Sequence, residues 1–198
     1  MTPAHAVIEN VSRRGFLKGL AATGGLLIAA EFVPARAALA YATGAAKMTG
    51  GVVSDPHVFI AIDPSGLVMI IAHRAEMGTG SRTSLPMVIA EELEADWSRV
   101  KVVQSPGDEQ KYGNQNTDGS RSMRHFIQPM RQCGAAMRQM LETAAAQRWG
   151  VNVAEVQAQN HEVVHKASGR KLGYGDLAAA ASALPTPPDD QIKLKDQA

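Results

Sequence analysis

The sequence contains a single cysteine, Cys133, so this chain alone builds neither an internal disulfide nor a multi-cysteine metal or iron–sulfur centre. It also lacks an excess of either charge: 20 Lys+Arg stand against 19 Asp+Glu. A general nucleic-acid binder usually shows a basic excess, so nucleic acid is not an expected partner. The six histidines, at 5, 57, 73, 125, 161 and 165, show no metal-site spacing. What the chain does have is 45% hydrophobic residues over 198 positions, enough for one domain with a real core.

Residues 1–37 read as a targeting segment. Ser12-Arg13-Arg14-Gly15-Phe16-Leu17-Lys18 fits the twin-arginine export pattern S-R-R-x-F-L-K. A Gly-rich apolar run over residues 19–30 follows, too short for a membrane span of ~20 apolar residues. Ala35-Arg36-Ala37 fits an A-x-A cleavage site, which places the cut after Ala37 and the mature chain in the periplasm. Cleavage there removes four basic and two acidic residues from 20 and 19, leaving 16 and 17 and a formal charge of −1. The twin-arginine route carries folded proteins, often with a cofactor already inserted.

Residues 38–55 are small and Gly-rich and read as a linker or extended arm. HVFIAI (57–62), the turn Asp63-Pro64-Ser65-Gly66 and LVMIIAH (67–73) predict a β-hairpin, apolar on both faces and covered on two sides. A helix is predicted over 82–95, with Pro86 in its first turn, Leu85, Val88, Ile89 and Leu93 buried, and Glu91, Glu92 and Glu94 in solvent. RVKVVQS (99–105) predicts a third strand and residues 120–149 a long helix. Met123, Met130, Met137, Phe126, Ile127 and Leu141 form its apolar stripe, Pro129 a kink, and Gly134 a close approach. Asn152-Val153-Ala154-Glu155 predicts a capped turn, residues 156–170 a second hairpin through Asn160-His161, and 174–184 a short helix. The domain proper is then 56–184, with 185–198 a linker or tail. The expected class is α+β: a small mixed sheet of hairpins packed on two main helices.

Two loops are candidate ligand sites. RAEMGTGS (74–81) runs straight into the first main helix, and Thr117-Asp118-Gly119-Ser120 into the second. Helix N-termini expose N–H groups that favour an anion, and glycine permits close approach to them. Two such entries in one small domain suit a shared phosphorylated ligand; ordinary N-caps are the other reading. Arg121 and Arg124 lie beside the second loop, whereas Arg131 and Arg138 read as stems laid along apolar surface with heads in water. Cys133 reads as a small core residue, His73 as a hydrogen-bonded structural histidine, and Glu76 as either a base or a group that orients its loop. No nucleophile–base–orienter set is evident.

Residues 59–106 and NQNTDGSRSMRHFIQPMRQCGAAMRQMLETAAAQRWGV, followed by HEVVHKASGRKLGYGDLAAAASAL, resemble the xanthine dehydrogenase/aldehyde oxidase family. Within it the sequence is most like the molybdopterin-binding large subunits of the isoquinoline 1-oxidoreductase type, whose exported relatives include nicotinate and membrane-bound aldehyde dehydrogenases. The likeness runs over about residues 57–196.

That resemblance implies a molybdenum–molybdopterin cofactor, in cytosine dinucleotide or related form. Its E-M-G-Q-G loop corresponds to Glu76, Met77, Gly78, Thr79 and Gly80, with Ser81 following. Its T-x-x-S-x-S-type loop corresponds to Thr117, Gly119, Ser120, Arg121 and Ser122. On this mapping the N–H groups of Gly78, Gly80 and Ser81 face the cofactor, and Thr79, standing where the family has Gln, has a shorter reach. Family large subunits are several times longer, and the resemblance puts the glutamate general base beyond IKLKDQA, so no catalytic residue is assigned here. It implies three partners: the remainder of the molybdopterin-binding subunit, a [2Fe–2S] small subunit and a cytochrome c. The expected activity of the whole is oxidation of an N-heterocycle or aldehyde with oxygen from water, without turnover by this chain alone. The alternative is a non-enzymatic exported binding or assembly module that keeps the fold.

Overall fold

In the computed structural model the described residues are 50–196. The export segment and most of the 38–55 arm lie outside them. Asp55 caps a single helical turn, α1 (Pro56–Phe59), by accepting the His57 N–H. This corrects the strand expected from 57: Pro56, preset for a helix start, follows an N-cap aspartate, and the two override the apolar run. Strand β1 (Ile60–Ile62) then pairs antiparallel with β2 (Val68–Ala72). Their turn is tied by Asp63 Oδ1, which accepts from Ser65 N at 2.8 Å and Leu67 N at 3.1 Å, with Gly66 at φ +88. One face of β2 is buried (Val68, Ile70, Ala72) and the other, Met69 and Ile71, only half-buried. The two-sided cover expected for this hairpin is therefore incomplete.

Helix α2 (Ser81–Leu93) carries the chain across to β3 (Val100–Gln104), which lies parallel to β2 as a helical crossover permits. Pro86 is the sixth residue of α2, past the first turn where it was expected. After a short turn, α3 (Glu109–Tyr112), comes α4 (Arg121–Trp149), the 29-residue spine of the domain, helical through Pro129. It packs along α2, and Gly134 marks the crossing: a β-carbon there would meet Ile89 O and stand 3.0 Å from Glu92 Cβ.

Asn152 and Glu155 form a reciprocal capping box before β4 (Val156–Gln159). Asn160 and His161, both at positive φ, turn the chain into β5 (Glu162–His165), and β6 (Lys171–Gly173) completes a second, antiparallel sheet. Helix α5 (Tyr174–Ser182) closes the core. Among the described residues the fold is the expected α+β class, its hairpins forming two three-stranded sheets, one mixed and one antiparallel. His161 joins the halves: it is buried, Nδ1 accepts the Asp96 N–H at 3.1 Å, Nε2 meets Gly66 O at 2.7 Å, and the ring stacks on Tyr174.

The long-helix stripe holds at Phe126, Met130, Met137 and Leu141, but Met123 and Ile127 face outward. Two further corrections concern charge. Glu92, expected in solvent, is 2% exposed, and Arg131 and Arg138 turn inward onto it instead of holding their heads in water. Arg131 holds Glu92 Oε1 through Nε at 2.7 Å and Nη2 at 2.6 Å, and Arg138 Nη1 donates to Glu92 O at 2.9 Å. The tail docks on this cluster. Lys195 N–H donates to Glu92 Oε2 at 2.9 Å, and Arg131 and Arg138 donate to the carbonyls of Lys195 and Lys193.

Candidate functional site

The loop between β2 and α2 turns at Gly78 and Gly80, at φ +87 and +77, where an L side chain would be strained. Gly80 is the N-cap of α2 and offers no side chain to the exposed N–H groups. Glu76 takes that role: Oε1 accepts from Gly80 N at 3.1 Å and Oε2 from Arg82 N at 3.0 Å. These bonds, Arg82 first, hold the Glu76 carboxyl below its ordinary range. Of the two readings of Glu76, the structure selects the orienting one. The Gly80 N–H, one of the three expected to face the cofactor, donates within the chain in this conformation.

The second loop is stitched to the first. Ala75 N–H donates to Gln115 O at 3.0 Å, and the Thr117 hydroxyl donates to Ala75 O. The Gln115 side-chain amide spans His73 O at 3.2 Å, Ser105 Oγ at 2.6 Å and Pro106 O at 2.8 Å. Gly119 and Ser120 both take positive φ, and Ser120, the N-cap of α4, makes no side-chain capping bond. At the entry to α4 the Arg121 N–H donates to Asp118 O at 2.9 Å and the Ser120 side chain adds no cap, whereas the entry to α2 is closed by the Glu76 side chain.

Between them lies one hollow of about 460 Å³, lined by Met77, Thr79 and Ser81 from the first loop and residues 117–120, Ser122 and Met123 from the second. Two turns far apart in sequence share this space, the arrangement expected of a common ligand site. Arg121 pairs with Asp118 at 3.5 Å, and Arg124 donates to Gly119 O at 3.3 Å. Thr79 bonds inward, its hydroxyl donating to Ser81 Oγ at 3.2 Å. Gly78 and Gly119 have open space where a side chain would stand, so their backbone is approachable. A larger hollow, about 590 Å³, lies under the tail between α4 and β4, lined by Glu94, Arg138, Glu142, Lys193 and Lys195 among others. Neither loop reaches it. Glu94, Arg138, Glu142 and Lys195 there already bond to other charged groups or to main chain, which makes it the weaker candidate.

Residue-type reasoning passed over Arg74. It is 1% exposed, its Nε donates to Ser122 Oγ at 3.1 Å, its Nη1 to Asn114 O and Oδ1, and its guanidinium lies 4.4 Å from the Phe126 ring centroid. Burial pushes its pKa down to about 10. Its one sequence signal is position: a cation at the end of an apolar strand, directly ahead of a glycine loop. His73 beside it is equally buried, wedged between the Phe59 and Phe126 rings, and burial lowers its pKa to about 4. Cys133 is fully buried and its thiol is pushed far up, which makes it a core residue and not a nucleophile. Among the described residues no cluster of His, Cys, Asp and Glu is arranged to hold a metal ion, and no helix is long and apolar enough to cross a membrane.

Comparison with known proteins identifies relatives of the chain. Residues 31–197 match the molybdopterin cofactor-binding domain family. The chain is 36% identical over 177 residues to the beta subunit of isoquinoline 1-oxidoreductase from Brevundimonas diminuta, covering 86% of this chain and 22% of that protein. It is 30% identical over 161 residues to a nicotinate dehydrogenase subunit of Pseudomonas putida KT2440, covering 80% of this chain and 13% of that one. A membrane-bound aldehyde dehydrogenase (pyrroloquinoline-quinone) of Gluconacetobacter polyoxogenes is 33% identical over 125 residues, 63% of this chain and 16% of that protein. Among solved structures, quinoline 2-oxidoreductase of Pseudomonas putida 86 shares the fold with a TM-score of 0.51 at 17% identity, over 63% of this chain and 16% of that one. The Cu,Mo-CO dehydrogenase in its carbon monoxide reduced state does so with a TM-score of 0.52 at 23% identity, over 68% and 17%. The chain spans about a fifth or less of the length of the curated relatives it matches.

Proposed function

The chain belongs to the molybdopterin cofactor-binding domain family, and from that premise we propose that it forms one wall of the cofactor cradle of an exported molybdenum hydroxylase. It is homologous to part of the large subunits of isoquinoline and nicotinate oxidoreductases. The observation that carries the proposal is the single hollow shared by two Gly/Ser/Thr turns, each entering a helix.

The donor set suits a phosphorylated group, chiefly on the α4 side. Ser120 makes no side-chain cap at that helix entry, Ser122 presents a hydroxyl, and Arg121 pairs with the lining carboxylate Asp118. Gly119 lets a ligand approach the main chain there. On the α2 side Glu76 holds the loop in shape, and Met77, 71% exposed, and Met123 supply an apolar lip that would exclude water once covered. When bound, the molybdopterin cofactor supplies the redox chemistry, oxidation of an N-heterocycle or aldehyde with oxygen taken from water. This chain's residues bind and orient its phosphate end, and none of them is assigned a proton-transfer role.

The reading includes the cytosine dinucleotide form of the cofactor, the remainder of the molybdopterin-binding subunit as immediate partner, and a [2Fe–2S] subunit passing electrons to a cytochrome c. The twin-arginine pattern at Ser12–Lys18 supports export to the periplasm with the cofactor already in place. The test is elemental analysis of the complex isolated through a tag on this chain from its native host. Molybdenum, with a molybdopterin-binding polypeptide in the same complex, is the expected result. A stable metal-free monomer would overturn the reading in favour of a binding module that keeps only the fold.

A further inference from the structure

Arg74 heads the largest fully buried side chains among the described residues, yet no carboxylate there pairs with it. Asp118 and Glu109 act on it only across a distance, and Arg121 opposes them. Its bonds go to neutral acceptors, Ser122 Oγ and Asn114 O and Oδ1, and its Nη2 has no partner. A buried charge without a counter-ion is expensive to keep. What makes the position informative is the next atom out. Ser122 Oγ accepts the Arg74 Nε hydrogen at 3.1 Å, so its own hydrogen is left for another acceptor. Ser122 is 6% exposed, and the surface it does present lines the shared hollow. A hydroxyl that accepts from a cation is a stronger donor in turn.

We propose that Arg74 is a positioning residue that makes Ser122 Oγ–H an anion donor in the wall of the shared hollow, so that the group received there is a phosphate. The missing counter-ion of Arg74 is then the ligand itself, one serine away. The proposal rests on the cofactor-cradle reading and gives it a polarity: the phosphate lies on the α4 side, where Arg121 pairs with the lining carboxylate Asp118 and Arg74 backs Ser122. The competing account is purely structural, with Arg74 fastening the second loop to α4 and nothing more.

The two accounts separate in a double-mutant cycle read by calorimetric titration of the full chain with inorganic pyrophosphate. The wild-type chain binds saturably. Ser122→Ala weakens binding about tenfold or more, the scale of a hydrogen bond to a charged group, and lowers the thermal midpoint because Arg74 Nε loses its acceptor; Ser122→Thr restores both. Arg74→Met weakens binding comparably and adds no further loss in the Ser122→Ala background. If Arg74→Met fails to fold by circular dichroism, Arg74→Lys, which keeps the charge and loses the fork, takes its place in the cycle. The proposal is overturned if the wild-type chain does not bind pyrophosphate, if Ser122→Ala binds it as well as wild type, or if the Arg74 variant loses as much with and without the serine. Molybdenum in the native complex is read separately. Molybdenum without Ser122-dependent pyrophosphate binding leaves the cradle standing and removes this inference; the converse removes the cradle and leaves the anion site.

Discussion

Replacing Glu92 by alanine should be the most damaging single change away from the hollow. The carboxylate is held by Arg131 at 2.6 and 2.7 Å, lies 3.7 Å from Arg138 and accepts the Lys195 N–H at 2.9 Å. Its side chain is 3% exposed, and those of Arg131 and Arg138 are 15% and 11%. Removing it leaves two nearly buried guanidinium groups facing each other without their anion. Breaking a buried pair from one side costs about 3–5 kcal/mol, and the slight exposure of both arginines places the expectation near the lower end. With a urea slope of roughly 1–3 kcal/mol per molar, that moves the unfolding midpoint down by about 1–3 M. The tail should loosen as well, because Lys195 loses its main-chain anchor and Arg131 and Arg138 lose the group that aims them at the carbonyls of residues 195 and 193. Urea unfolding and amide exchange over residues 191–195 read the two effects together. A loss under about 1 kcal/mol, the scale of an exposed ion pair, with unchanged tail protection would mean that the arginines find water without cost, and would refute the clamp.

His73 should give the protein an acid limb of its own. Its folded pKa of about 4 lies below the ordinary 6.5, so the unfolded chain binds the proton first, and stability falls as pH drops from about 6.5 to about 4, by about 3 kcal/mol in all; His73→Phe should flatten that limb in unfolding curves taken across the range. Gly134→Ala should cost about 1–3 kcal/mol, since its methyl would strike Ile89 O where α2 and α4 cross, and a wild-type midpoint in the variant would show that the helices are free to separate. Cys133 should resist an aromatic disulfide reagent at neutral pH until denaturant is added, and rapid labelling of the native chain would contradict its burial.

What the sequence disclosed was whatever short-range chemistry decides. The Asp63-Pro64-Ser65-Gly66 turn, the Asn152/Glu155 capping box and the Asn160-His161 reversal each carry their cause within a few residues, and each forms where expected. The glycine loops belong to the same class, because a positive φ followed by a helix entry can be read locally. Glu92 shows the limit. Beside Glu91 and Glu94 it is chemically identical and falls in the same acidic run, and what buries it is a pair of arginines 39 and 46 positions away on another helix.

The same limit governs the candidate site. A glycine-rich turn announces that backbone is approachable, but not whether its N–H groups are free. At α2 they are met by Glu76, four and six residues from its partners, and at α4 the N-cap Ser120 makes no side-chain bond to them, although both loops are rich in Gly, Ser and Thr. The polarity of the hollow therefore does not follow from its glycines. Both loops carry a carboxylate: Glu76 is spent on its own helix entry, whereas Asp118 pairs with Arg121 and its loop is backed by a buried cation, Arg74, which reaches Ser122 across 48 positions. A site assembled this way is specified in pairs: the loop residues set the shape, and the distant charge decides which ligand group the shape accepts.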